Sequence, residues 1–127
     1  TMLGGKWDIA PGSAIKSTDP ARIQDLTGRT TLPEMVEVLR QTEVAVTNDT
    51  GPMHIAAALR IPVVPLFGPT APSRTGPFGQ LDTVLQRALP CVPCLQSRCH
   101  YSSPLACLKG ITPASVLSAA LTRLNPE

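Results

Sequence analysis

The chain has 127 residues, 43% of them hydrophobic, and a formal net charge of +2, a size that fits one globular domain of roughly 100–150 residues. Its Lys and Arg are scattered rather than gathered on one face, which argues against a nucleic-acid surface. The longest apolar runs, such as Ile61 to Phe67, fall well short of the ~20 residues that span a bilayer, and the first residues lack the basic-then-apolar order of a secretory signal, so a cytoplasmic location is expected.

Thr1 to Gly5 reads as the tail of a buried strand running into a glycine turn, as though the chain starts inside a fold. Residues 5–22 are rich in Gly, Pro, Ser and charge without a period, and a loop or poorly ordered segment is expected there. Gly12 to Ser17 invites comparison with a phosphate loop, but Ala10 and Ile15 stand where that motif needs glycine. From Thr31 the signals sharpen. Thr31 and Glu34 have capping-box spacing, and Leu32, Val36 and Leu39 share one face of a helix running to about Gln41. Glu43 to Asn48, with its β-branched residues, predicts a short buried strand ending at Asp49. Pro52 opens an alanine-rich helix to about Arg60, and Ile61 to Phe67 predicts the next strand, closed by Gly68, Pro69 and Thr70. Strand, helix and strand in this succession imply a parallel crossover.

In the last third, Thr83 to Gln86 could add one more strand, and Cys91 to Cys107 reads as a cysteine-bearing loop. Thr112 and Pro113 start a final helix whose Leu117, Leu121 and Leu124, with Val116 and Ala120 beside them, form a stripe broad enough to cover a sheet. Fourteen prolines against four aromatic residues point to many pre-set turns and an aliphatic core.

In an open parallel sheet, ligands bind outside the carboxyl ends of the strands, where the turn from Asn48 to Pro52 is expected. The amides of Thr50, Gly51 and the first helical turn, with the positive end of the helix dipole, suit a phosphate. Gly51 lets backbone approach the ligand and Thr50 can add a hydroxyl. The carboxylate of Asp49 would repel a phosphate unless it faces neutral hydroxyls, for which sugar is the natural partner. His54, within the next turn, is either a donor to phosphate or a half-buried histidine on an amphipathic helix. Asp49 and Thr50 can equally be read as plain helix caps. The second strand-end loop, Gly68 to Gly79 with Thr70, would lie beside the first and complete a cleft.

The order and spacing of Asp25 to Leu32, Val46 to Leu59, Pro62 to Val64 and Leu66 to Thr70 closely resemble the ADP-heptose:lipopolysaccharide heptosyltransferases, glycosyltransferase family 9. The resemblance covers residues 25–79, and more loosely Cys91 to Val116. It implies a GT-B architecture of two Rossmann-like domains, with this chain as the C-terminal, donor-binding one: a single domain over residues 1–127, truncated, without the N-terminal acceptor domain. It assigns Asp49 to donor sugar hydroxyls, Thr50 and Gly51 to the diphosphate, with Pro52, His54, Gly68 and Thr70 lining the same cleft. The reaction implied is inverting transfer of heptose from ADP-heptose to a lipopolysaccharide core acceptor, with no cofactor required. The base is expected in the absent domain, and the chain alone is expected to be inactive. The family's diphosphate-binding lysine has no counterpart here, since Lys6 and Lys16 sit in no matching motif. A location in the cytoplasm, or peripherally at the inner face of the inner membrane, follows from the same likeness. A non-catalytic nucleotide- or partner-binding module of Rossmann-like fold stays open beside it.

Cys91, Cys94, Cys99 and Cys107, with His100 adjacent, fit a structural zinc site by the closeness of the first pair, though the second pair is irregularly spaced. Free thiols or disulfides are the alternatives.

Overall fold

The computed structural model describes residues 1–125. Two compact units divide the chain, one of residues 1–38 and one beginning at Leu39.

In the first unit, Met2 makes an isolated parallel bridge with Asp25. Its N–H donates to the Gln24 carbonyl at 2.8 Å and its carbonyl accepts from Leu26 N–H at 3.0 Å. The segment expected to be a loop is instead helical: one 3₁₀ turn at Lys6–Asp8 is followed by α1, Ile9–Lys16. Pro11 falls in the first turn, where its missing N–H costs nothing. Gly12, a poor helix former, is buried because the helix passes so close to a turn that a Cβ there would stand 2.7 Å from Thr27 Oγ1. That turn is braced by Asp25, whose Oδ1 accepts from Thr27 N–H at 3.0 Å and from Thr27 Oγ1 at 2.6 Å. These bonds to the ionised form hold the Asp25 carboxyl below its usual pKa, the Thr27 hydroxyl contributing most.

Helix α2, Leu32–Arg40, starts where capping-box spacing predicts. Glu34 Oε2 accepts from both Thr31 N–H (2.7 Å) and Thr31 Oγ1 (2.8 Å), which also lowers the pKa of its carboxyl. Of its expected apolar face only Leu39 is buried; Leu32 stays 63% exposed in the first turn.

The second unit is built on a parallel three-stranded sheet in the order β1 (Ala45–Asn48), β2 (Val63–Phe67), β3 (Leu85–Gln86). Helix α3, Gly51–Ala58, joins β1 to β2 and packs on both. Met53, Val63, Val64, Pro65 and Phe67 are fully buried, the apolar side chains among them each contributing about 1.5–3 kcal/mol. Pro65 cannot donate to a ladder, yet β2 is the central strand. The arrangement works because β3 begins opposite Leu66, one residue later. Before that point the Gln80 side chain stands in for a strand: its Oε1 accepts from Val63 N–H at 3.0 Å and its Nε2 donates to the Ile61 carbonyl at 2.9 Å.

Helix α4, Pro72–Thr75, is a single turn in the loop after β2, and α5, Ala106–Lys109, is another near the end of the cysteine-bearing segment. Helix α6, Pro113–Leu124, is capped by Thr112 Oγ1, which accepts from Ser115 N–H at 3.2 Å, and lies against β2 and β1. Its leucine stripe does not cover the sheet. Leu117 and Leu121 are 61% and 50% exposed, while Val116, Ala119, Ala120 and Arg123, at helical spacing, are the half-buried face.

Candidate functional site

The register Asn48↔Leu66 places the carboxyl ends of β1 and β2 side by side. The turn Asp49–Thr50 and the loop from Gly68 therefore leave the sheet as neighbours. This is the position at which an open parallel sheet presents a ligand crevice.

Thr50 is the N-cap of α3 in extended conformation, with no capping bond from its side chain. Its hydroxyl lies 3.4 Å from the Asn48 carbonyl instead, so the reading of Thr50 as a side-chain cap does not hold. Pro52 occupies the first turn, where an N–H is not required. At the positive end of the helix dipole the leading amides of α3 meet no side-chain acceptor of their own cap, and Met53 N–H donates to the Thr50 carbonyl at 3.1 Å. A Cβ built at Gly51 would meet nothing within 4 Å, so open space faces this backbone. His54, three residues on, is exposed rather than half-buried.

Asp49 is half-buried, and its Oδ2 accepts a hydrogen bond of 2.8 Å from Thr75 Oγ1 of α4. The two strand-end loops are joined by this bond. Thr75 was not among the residues that the sequence singles out; its only signal is membership of a Thr-, Gly- and Pro-rich loop following a parallel strand. Gly68 and Thr70 hold the start of that loop through their carbonyls, which accept from Gln86 Nε2 at 3.0 and 2.8 Å. Gly68 is buried, and a Cβ there would come within 2.8 Å of Leu108, so its lack of a side chain serves packing.

The four cysteines line one cavity of about 120 Å³ together with Leu89, Tyr101 and Leu108. All four are free thiols. Among the described residues no group of three or more His, Cys, Asp or Glu is placed to hold a metal ion. The thiols line this cavity, and their placement lends no support to the structural zinc that the spacing suggests beside free thiols or disulfides. Cys99 is the exposed one, and the Leu105 N–H at 3.2 Å from its sulfur, helped by the Tyr101 backbone, lowers the pKa of the thiol. No helix of the described residues is long and apolar enough to cross a membrane.

A parallel α/β sheet flanked by helices is a Rossmann-like fold of the kind found in GT-B glycosyltransferases. The chain matches the profile of glycosyltransferase family 9 (heptosyltransferase) over residues 9–104, and it belongs to that family. It is 38% identical over 99 residues to lipopolysaccharide heptosyltransferase 1 of Pseudomonas aeruginosa, covering 78% of this chain and 28% of that protein. It is 30% identical over 108 residues to lipooligosaccharide heptosyltransferase 2 of Campylobacter jejuni, covering 82% of this chain and 33% of that one. Its fold superposes on the solved structure of E. coli ADP-heptose lps heptosyltransferase II with a TM-score of 0.75 at 27% identity, over 96% of this chain and 35% of that one. The chain therefore spans about a third or less of the length of these relatives.

Proposed function

We propose that this chain is the donor-binding part of an inverting glycosyltransferase that transfers heptose from ADP-heptose to a lipopolysaccharide core acceptor. The observation that carries the reading is the site at the end of β1: an uncapped helix N-terminus with open space at Gly51, and a carboxylate beside it at Asp49. The amides of Thr50 and Gly51 would receive the diphosphate, with His54 adding a donor from the next turn. Asp49 would turn to the hydroxyls of the sugar, since its charge disfavours phosphate. Pro52 and Thr70 would line the cleft, and the buried Gly68 would support its wall from behind by packing on Leu108.

In the reaction so read, the acceptor oxygen attacks the anomeric carbon opposite the diphosphate. The new C–O bond forms as the bond to the diphosphate breaks, and ADP leaves with its charge met by the helix-terminal amides. The acceptor proton passes to a base outside this chain, on an acceptor domain that would form the other wall of the cleft. On this reading transfer needs both domains, the donor one being Rossmann-like. The reading puts the enzyme in the cytoplasm, meeting its acceptor at the inner face of the inner membrane.

Calorimetric titration with ADP, ADP-heptose and GDP tests the reading. It expects ADP to bind, ADP-heptose to bind more tightly, and the Asp49→Asn variant to lose the added affinity of the sugar. A folded chain that binds neither ADP nor ADP-heptose overturns the reading.

A further inference from the structure

Thr75 carries one proton on its hydroxyl and has two acceptors in reach, Asp49 Oδ2 at 2.8 Å and the Ala71 carbonyl at 3.4 Å. The shorter bond, to the charged acceptor, takes the proton. The hydroxyl is held in place by its own turn. Thr75 N–H donates to the Ala71 carbonyl at 3.2 Å and Gly76 N–H to the Pro72 carbonyl at 2.7 Å, and a Cβ at Gly76 would stand 2.5 Å from that Pro72 oxygen. Only a glycine lets α4 close so tightly. The start of the same loop is fixed by Gln86 through Gly68 and Thr70. A donor on a loop held at both ends thus fixes a carboxylate on the neighbouring loop, 26 residues away in sequence.

We infer that Thr75 is a positioning residue that sets the affinity of the donor site for the sugar, by holding Asp49 through one carboxylate oxygen so that the other is presented to the hydroxyls of a sugar attached to the diphosphate. The inference rests on the donor-site reading above. A fixed carboxylate accepts from sugar hydroxyls without first losing side-chain freedom, and it cannot swing toward the diphosphate. Removing the Thr75 bond releases Asp49, so affinity for the sugar part falls while affinity for the nucleotide part does not.

Binding of ADP-heptose and of ADP is measured on the wild type, Thr75→Val, Thr75→Ser and the Asp49→Asn pair with and without Thr75→Val. The isosteric Thr75→Val is expected to lower the ratio of ADP-heptose to ADP affinity by about tenfold, the size of one hydrogen bond to a charged group, with ADP affinity unchanged. Thr75→Ser keeps the donor and restores the ratio. In the Asp49→Asn background Thr75→Val has no further effect. An unchanged ratio in Thr75→Val overturns the role of Thr75 and leaves the donor site standing. A loss of both affinities alike also overturns it, because that is what a merely structural residue would do. If the folded wild type binds neither compound, the donor-site reading falls and this inference with it.

Discussion

A methyl group at Gly51 would enter open space, whereas one at Gly68 would press on Leu108 at 2.8 Å. The two glycines therefore separate binding from folding. Gly51→Ala, at a helix start where Ala is the better helix former, is expected to leave Tm unchanged or slightly higher and to weaken ADP binding by about tenfold, because its methyl occupies the space proposed for the ligand. Gly68→Ala is expected to cost about 1–3 kcal/mol of stability by overpacking. Thermal melts alongside calorimetry check both; a Gly51→Ala variant that binds ADP as the wild type does would place the diphosphate elsewhere. The turn at Asn48 to Pro52 was legible in the sequence because its residues are the ones that a strand end and a helix start demand. Thr75 was not, since its contact with Asp49 follows from the strand register and from the path of a loop, neither of which leaves a local pattern.

At the scale of elements, β1, α3, β2 and α6 were readable from β-branched runs, Pro at helix starts and the Thr112 cap. Helix α1 was not, because Pro11 and Gly12 are poor helix formers and the helix is held by its close approach to the turn at Thr27. On α6 the pattern picks out Val116 and Ala120 correctly but centres the face on the leucines, whereas the half-buried face turns toward Ala119 and Arg123, which hydrophobicity does not mark. Gln80 had no signal at all, since a side chain replacing a strand is invisible before the sheet is built. Gln80→Ala leaves the buried Val63 N–H without its acceptor, and a loss of about 1–3 kcal/mol in denaturant unfolding is expected. An effect near zero would mean that another acceptor takes over.

At the scale of the whole molecule, acid stability is expected to reflect Asp25, the buried carboxylate of the first unit. Its folded pKa is depressed, so its stabilisation is fully present above the ordinary carboxylate value of about 4 and is lost as pH falls through the lower folded value. Exchange protection of the Thr27 amide should hold steady from neutrality to about pH 5 and decline below about pH 4, and Asp25→Asn should flatten that profile. An unaltered profile in the variant would contradict the assignment. The family to which the chain belongs was legible from residues 25–79, but that likeness could not say which loops touch. The central claim is that a diphosphate sits on the first turn of α3, and its most direct test is a titration with ADP while amide shifts are followed. The account predicts saturable shifts concentrated at Thr50, Gly51, Met53 and His54; a folded chain in which these amides stay still, or in which the shifts gather instead around the Cys91 to Cys107 cavity, would contradict it.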